Sequence, residues 1–410
     1  MIITLAWRNI WRNRRRSLLT IFAITFASFA ILFQRGLATG TWELSVQHSV
    51  EMLSGYLQIQ HLGYQENPSL AKNLVYPASF PELLRQTDGV VAFAPRIAAD
   101  GLISYKDKSI GTMILGVHPD AERGVSRFHR QIKSGRFFTN GSIDEIVVGS
   151  TLLNNLHSKL GDTLVILAQG FDGVLGNLLF RVVGTVSMGA QEFDAGVVLM
   201  DMSAAQELLA MQNRISIIAT AIDDLKRLEE IKQNLQSNIQ QAGFEHTAVL
   251  TWAEVMPDLY QAMQFDHIGD YFFMGILILV VAFGILNTVL MSVTERFREF
   301  GVSLAVGMSP YRLMMIVMIE SLVMVCLGIL VGSGLGYAVN WYVKLNPIML
   351  TGDFEKIYAQ YGFLPQMTAS TDAWIAVEVI SIILIVAVCS IIYPLFRVVK
   401  LEPLKGIRHT

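Results

Sequence analysis

The chain has 410 residues, 52% of them hydrophobic and 16% charged, with a mean hydropathy of +0.46. That is too apolar for an ordinary soluble protein of this length, so part of the apolar mass must face lipid. The formal net charge of −3 excludes the basic excess that nucleic-acid binding calls for, and the two cysteines, Cys326 and Cys389, both lie in apolar runs, leaving the polar middle of the chain with no disulfide framework.

In chain order, residues 1–16 form a basic amphipathic segment. A helix from Ile2 to Arg12 places Ile3, Ala6, Ile10 and Trp7 or Trp11 toward lipid, with Arg8, Arg12, Arg15 and Arg16 at headgroup level. Residues 17–34, SLLTIFAITFASFAILFQ, carry no charge and read as a first span. Basic residues before an apolar run also describe a cleaved signal, but this run is longer than a signal core. Ala38 and Gly40, after polar Gln34 and Arg35, make a poor cleavage site, so the span is expected to be retained.

Residues 35–270 form a large polar insertion, and residues 271–293, 313–343 and 374–396 are three further spans. Lys and Arg cluster in the N-terminal tail, in 294–312 (Arg296, Arg298, Arg312) and in the tail 397–410 (Arg397, Lys400, Lys405, Arg408). With four spans these three segments share one side, so both termini are expected in the cytoplasm, with the insertion and the loop 344–373 outside.

Within the insertion, short β-rich runs (YLQIQHL, VVAFAPRI, GLISY, TMILGV, EIVVG, DTLVIL, FRVVGTV, GVVLMD) alternate with helix-like pieces such as FPELLRQT and DDLKRLEEIKQNLQSNIQQAG. The predicted fold is four membrane helices plus an extracytoplasmic α+β domain with antiparallel sheets, residues 135–199 forming a strand-rich subdomain. The flanks Gly36–Leu53 and Thr251–Gly269 read as helices that continue the adjoining spans as stalks.

The insertion offers little chemistry. His48, His61, His118, His129, His157, His246 and His267 lack the i, i+4 spacing that sets two metal ligands on one helix face, so no metal site is expected. The chain has no Gly-x-Ser-x-Gly elbow and no phosphate-binding loop. No catalytic residue is predicted, and any ATP must be bound by another polypeptide.

The stretch after the second span is more informative. Thr294–Val306 reads as a short cytoplasmic-surface helix with Glu295 and Glu299 a turn apart, Arg296 and Arg298 beside them, and apolar Val302, Leu304 and Val306 beyond. Gly307 suits a left-handed helix end, and Ser309-Pro310 an N-cap and first turn for the third span. The residues alone fit equally well a charged loop that solvates a membrane exit. Inside the third span, Glu320 is costly as an ion unless partnered, and a structural hydrogen bond suits it better than a proton path. Gly328, Gly332 and Gly336 open a groove for close helix contact.

The run ERFREFGVSLAVGMS resembles the Glu-Arg/Lys-x-x-Glu-Ile-Gly-x-x-x-Ala-x-Gly segment of FtsX-like, MacB-type ABC transporter permeases, with Phe300 in place of Ile. LAWRNIWRNRRRSLLTIFAI resembles that family's N-terminal Arg-Asn signature, and YPLFRVVKLEPLKGIRH its tail, with Glu402 for Asp and Ile407 for Leu. GVHPDAERGVSRFHRQIKSGRFF, EIVVGSTLLNNLHSKLGDTLVIL and FRVVGTV look like the outer domain of the lipoprotein-releasing (LolC/LolE) branch.

The resemblance implies that 294–312 holds a coupling helix, with Glu295, Arg296, Arg298, Glu299 and Gly301 against a cytoplasmic ATPase and Ala305 and Gly307 completing the motif. It implies no cofactor in this chain; ATP and Mg would belong to an ABC ATPase dimer. Further implied partners are a second permease copy or paralogue, against which the glycine groove would pack, membrane lipids, and a periplasmic chaperone or adaptor. The implied location is the bacterial inner membrane, and the implied mechanism is mechanotransmission on lipoproteins or other amphipathic cargo. Rival readings are an efflux permease of a tripartite pump, a non-transporting regulator of a cell-wall hydrolase, and a membrane-anchored ectoenzyme.

Overall fold

The computed structural model describes residue 12, residues 14–360 and residues 364–399. The surface helix expected at Ile2–Arg12, with Arg8, lies outside the described residues apart from Arg12. So do the tail beyond 399 and the side chains of Arg16 and Arg397. The chain sorts into two compact units: Met1–Glu43, Met263–Met349 and Gln366–Thr410 form one, and Leu44–Ala262 with Leu350–Pro365 the other.

The elements begin with α1 (Arg14–Ser49), which passes into a π turn (Val50–Ser54), then β1 (Leu57–His61), β2 (Leu74–Val75), α2 (Phe80–Gln86), β3 (Val90–Tyr105), β4 (Lys108–Val117) and α3 (Pro119–Val125). Next come β5 (Ile132–Gly135), β6 (Glu145–Gly149), α4 (Ser150–Asn155), β7 (Thr163–Gln169), β8 (Leu175–Val186), α5 (Gln191–Gly196), β9 (Val197–Asp201) and α6 (Met202–Leu208). They are followed by β10 (Arg214–Ile215), β11 (Ile217–Ile222), α7 (Leu228–Gln241), β12 (Thr247–Thr251), α8 (Trp252–Val255), α9 (Pro257–Glu295) and α10 (Phe297–Ala305). The chain closes with α11 (Pro310–Leu345), β13 (Ile348–Met349), α12 (Asp353–Gln360), β14 (Gln366–Met367) and α13 (Ala373–Val399).

Among the described residues four helices are long and apolar enough to cross a membrane, Ser17–Met52, Pro257–Glu295, Pro310–Leu345 and Ala373–Phe396, and their apolar parts lie in the first unit. They bury a common seam that includes Ile24 and Ile31 of α1, Val281, Ile285 and Val289 of α9, Val317 and Val325 of α11, and Val379, Ile383 and Ala387 of α13. The predicted glycine groove of α11 is filled by α1 of the same chain. A Cβ on Gly328 would lie 2.7 Å from the Ile24 Cβ, one on Gly332 2.4 Å from the Thr25 carbonyl oxygen, and one on Gly336 3.1 Å from the Leu32 Cβ. Small residues are what allow these two helix backbones to approach.

In the second unit, ten strands share one sheet in the order β12-β1-β11-β3-β4-β9-β6-β8-β5, and β7 pairs with both β3 and β8. The pairings β3–β4, β4–β9, β9–β6, β6–β8, β8–β7 and β7–β3 therefore close a ring of six strands. Ring closure is possible because β3 is long. Its first half pairs with β11 and its second half, Gly101–Ser104, with β7.

Side-chain alternation sorts the residues between two cores. Ile103, Ile114, Ile146, Val148, Leu164, Ile166, Phe180, Val182, Val198 and Met200 join one buried cluster. Their neighbours Leu115, Val147, Val197 and Leu199 point the other way, onto Met52, Phe128, Phe138 and Met188. The sheet is mixed, not antiparallel throughout, since β4–β9 and β6–β8 are parallel. β6 and β9 are buried on both faces and read as continuous apolar runs, a pattern that suits parallel pairing but does not say with which strand. The strand-rich residues 135–199 contribute to this same sheet, with α4 and α5 interposed.

Candidate functional site

The segment between the second and third spans is built around a break at one residue. Helix α9 continues through Thr294 and Glu295, and Arg296 leaves regular helix geometry at φ −100°, ψ 13° before α10 starts. The sequence reading of one helix over Thr294–Val306 is thus corrected to two, with Arg296 as the joint. At the other end Gly307 has φ +102°, a conformation that favours glycine, and its N–H donates to the Leu304 carbonyl. Ser309 then caps α11 by accepting from the Arg312 N–H, with Pro310 in the first turn.

Of the residues singled out here from sequence, Glu295, Arg298, Glu299, Ala305 and Gly307 are exposed, whereas Arg296 and Gly301 are buried. Glu299 accepts two hydrogen bonds from Arg12 Nη2, at 2.8 and 3.0 Å, with both side chains about half exposed. An ion pair so exposed adds little stability. Arg15 is exposed as well.

Arg296 departs from the sequence grouping, which placed it among outward charges. Only 4% of it is exposed, because it lies one turn before Phe300 and shares that residue's buried face. Its Nη1 donates to Glu320 Oε2 at 2.9 Å, supplying the partner that a carboxylate inside a span requires. Ser17, Thr288, Ser292 and Ser321 join the pair around a small pocket of about 20 Å³, so α1, α9 and α11 all contribute polar groups to its lining.

The sequence reading missed a second charged cluster in this unit. Arg35 on α1 donates from Nη2 to Glu378 Oε2 on α13 at 3.2 Å, and its Nη1 lies 3.9 Å from Asp270 Oδ2 on α9. Gln34 donates to Asp270 Oδ1 at 3.0 Å, and the Arg35 guanidinium sits 5.1 Å from the centre of the Tyr271 ring. The available signal was that each charge lies at the margin of a different apolar run, where buried ions occur in pairs.

The second unit holds a fully buried pair, Arg96 with Glu122, bonded at 2.7 and 2.9 Å, with Arg96 also over the Phe128 ring. Glu145 accepts from Arg136 and, at 3.2 Å, from Arg181; the hydrogen bond from Arg136 is the main reason its carboxyl is held below the ordinary range. Among the described residues there is no group of three or more His, Cys, Asp or Glu able to hold a metal ion.

A MacB-like periplasmic core domain model matches residues 17–238, and an FtsX-like permease C-terminal model matches residues 271–403. The lipoprotein-releasing system transmembrane protein LolC of Neisseria meningitidis serogroup B is 23% identical over 345 residues, which cover 80% of this chain and 81% of that protein. The macrolide export ATP-binding/permease protein MacB of Wolinella succinogenes is 23% identical over 350 residues, 83% of this chain and 53% of that protein. The crystal structure of the periplasmic region of MacB from Actinobacillus actinomycetemcomitans aligns with a TM-score of 0.37 at 16% identity, covering 51% of this chain and 92% of that one.

Four apolar helices joined to a MacB-like periplasmic core define a membrane permease. The chain belongs to the FtsX-like, MacB-type family of ABC transporter permeases. Membership implies a partner ATPase, and the chain itself has no phosphate-binding loop.

Proposed function

We propose that this permease converts ATP hydrolysis by a separate cytoplasmic ATPase dimer, which holds the ATP and Mg, into movement of its periplasmic domain. That movement extracts lipoproteins or other lipid-anchored molecules from the inner membrane. The carrying observation is the length of α1 and α9, unbroken helices of 36 and 39 residues. At 1.5 Å per residue they span roughly 54 and 58 Å, against about 30 Å of hydrocarbon. Helices that outrun the bilayer by this much can transmit displacement as rods. In this reading α10 docks on the ATPase through Arg298 and Glu299, with Glu295 at the end of α9 beside them, and two permease copies or paralogues work together. Both termini are cytoplasmic, and the large domain is periplasmic.

The likeness to LolC favours lipoprotein cargo. Depletion of this protein followed by fractionation should leave outer-membrane lipoproteins stranded in the inner membrane; a normal distribution would reject that cargo. The likeness to MacB supports a second reading, export of small molecules through a tripartite pump. It predicts hypersensitivity to macrolides on depletion with lipoproteins correctly sorted.

A further inference from the structure

We propose that Glu320 is a positioning residue for α10: by holding Arg296 it makes α10 and α11 move as one piece, so that displacement of α10 reaches α1 as well as α9. The inference rests on the docking role given to α10 above, and it goes further by naming the internal path.

Helix α9 meets α10 through the single non-helical residue Arg296. A one-residue joint leaves the direction of α10 poorly fixed by backbone alone. Arg296 also begins α10, because its carbonyl accepts from the Phe300 N–H at 2.8 Å. Its side chain runs inward instead of to the surface and ends on Glu320, well inside α11. Holding the guanidinium therefore holds the first turn of α10.

The far end of α10 is tied to α11 separately. Met308 N–H donates to the Ser303 carbonyl, and the Gly307 turn leads directly into the Ser309 cap. Phe297, Phe300 and Leu304 fix the length between by packing on the core of the spans. Helix α10 is thus attached to α11 at both ends and to α9 at one.

From α11 the path continues by direct contact. Gly328, Gly332 and Gly336 lie against Ile24, Thr25 and Leu32 of α1. Close-packed backbones cannot slide past one another without unpacking, so a shift of α11 must carry α1 with it. The pair thereby links one docking helix to both of the long rods, α9 through the chain and α1 through Glu320. Apolar residues of similar volume are often as stable as a buried pair of ions, whereas the directional hydrogen bond of the pair fixes orientation.

The test uses the full-length chain in nanodiscs, with and without its partner ATPase. Spin labels are placed at Val302 on α10 and Leu330 on α11, both exposed. In the parent protein the label distance should be narrow and unchanged by ATP. In Glu320→Gln it should broaden or shift, by up to one helical turn of about 5 Å, and the exchange of the two charges, R296E with E320R, should restore the narrow distance. A paired Arg296→Met, Glu320→Met variant keeps the packing volume and should broaden as Glu320→Gln does. A parent-like narrow distance in either neutralised variant would overturn the proposal, as would failure of the charge exchange to restore it. Surface variants Arg298→Glu and Glu299→Arg test the docking reading separately, by loss of ATPase binding. The label distance measured without the ATPase tests the pair even where docking fails.

Discussion

Gly332 and Thr25 touch backbone to backbone: a Cβ on Gly332 would sit 2.4 Å from the Thr25 carbonyl oxygen, closer than any real Cβ contact. Gly332→Ala should therefore destabilise the α1–α11 seam, by about 1–3 kcal/mol for overpacking at a site that cannot yield cheaply. Gly336→Ala, whose Cβ would lie 3.1 Å from a side-chain carbon, should cost less. Thermal unfolding in detergent should rank the two variants in that order, and an equal effect would mean that the helices part readily.

Arg35 stands between two carboxylates from two other spans, Asp270 and Glu378. Arg35→Met strands both, and removing one member of a buried charge set costs about 3–5 kcal/mol. Adding Asp270→Asn to that variant should recover part of the loss, which chemical denaturation can measure. Simple additivity of the two substitutions would show that the cluster does not act as a unit.

Glu299→Lys breaks the exposed contact with Arg12, so its effect on stability should stay below about 1 kcal/mol. Association with the ATPase should fall sharply in the same variant, measured by co-purification. Loss of stability without loss of binding would reverse the roles assigned to this residue.

In the second unit, the hydrogen bond from Arg136 keeps the Glu145 carboxyl below its ordinary range, with Arg181 adding to the effect. A carboxylate whose folded pKa is depressed contributes stability above its unfolded value, near 4.3, and loses it as pH falls through the folded value. Acid unfolding of the protein should therefore gain a component below about pH 4.3 that disappears in Arg136→Ala, Arg181→Ala. Unfolding curves identical between parent and variant from pH 5 to 3 would remove Glu145 from the account.

Much of this architecture was legible in the sequence because long apolar runs with charged margins have few alternatives to a span. The Gly-x3-Gly-x3-Gly spacing from Gly328 likewise specified close packing, although not that α1 of the same chain would fill the groove. Arg296 was harder to read, since a charge in a charged segment looks solvated until the break in the helix turns it toward Phe300 and Glu320. The Arg35–Glu378 contact joins residues 343 positions apart, and no local pattern reports such a distance. Strand partners were hidden for a related reason: β6 and β9 are buried on both faces and read as continuous apolar runs, which mark them as central strands without naming their neighbours.

The closed ring of β3, β4, β9, β6, β8 and β7 bears on what happens when the domain is pulled. An open sheet can peel from an edge strand, losing one hydrogen bond at a time under a small force. A ring has no free strand at which peeling can start, so a load across it is shared by several ladders that must yield nearly together. The ring is thereby the part of the domain most resistant to unravelling, whereas the arm β11-β1-β12 outside it ends on a free edge strand and is where peeling would begin.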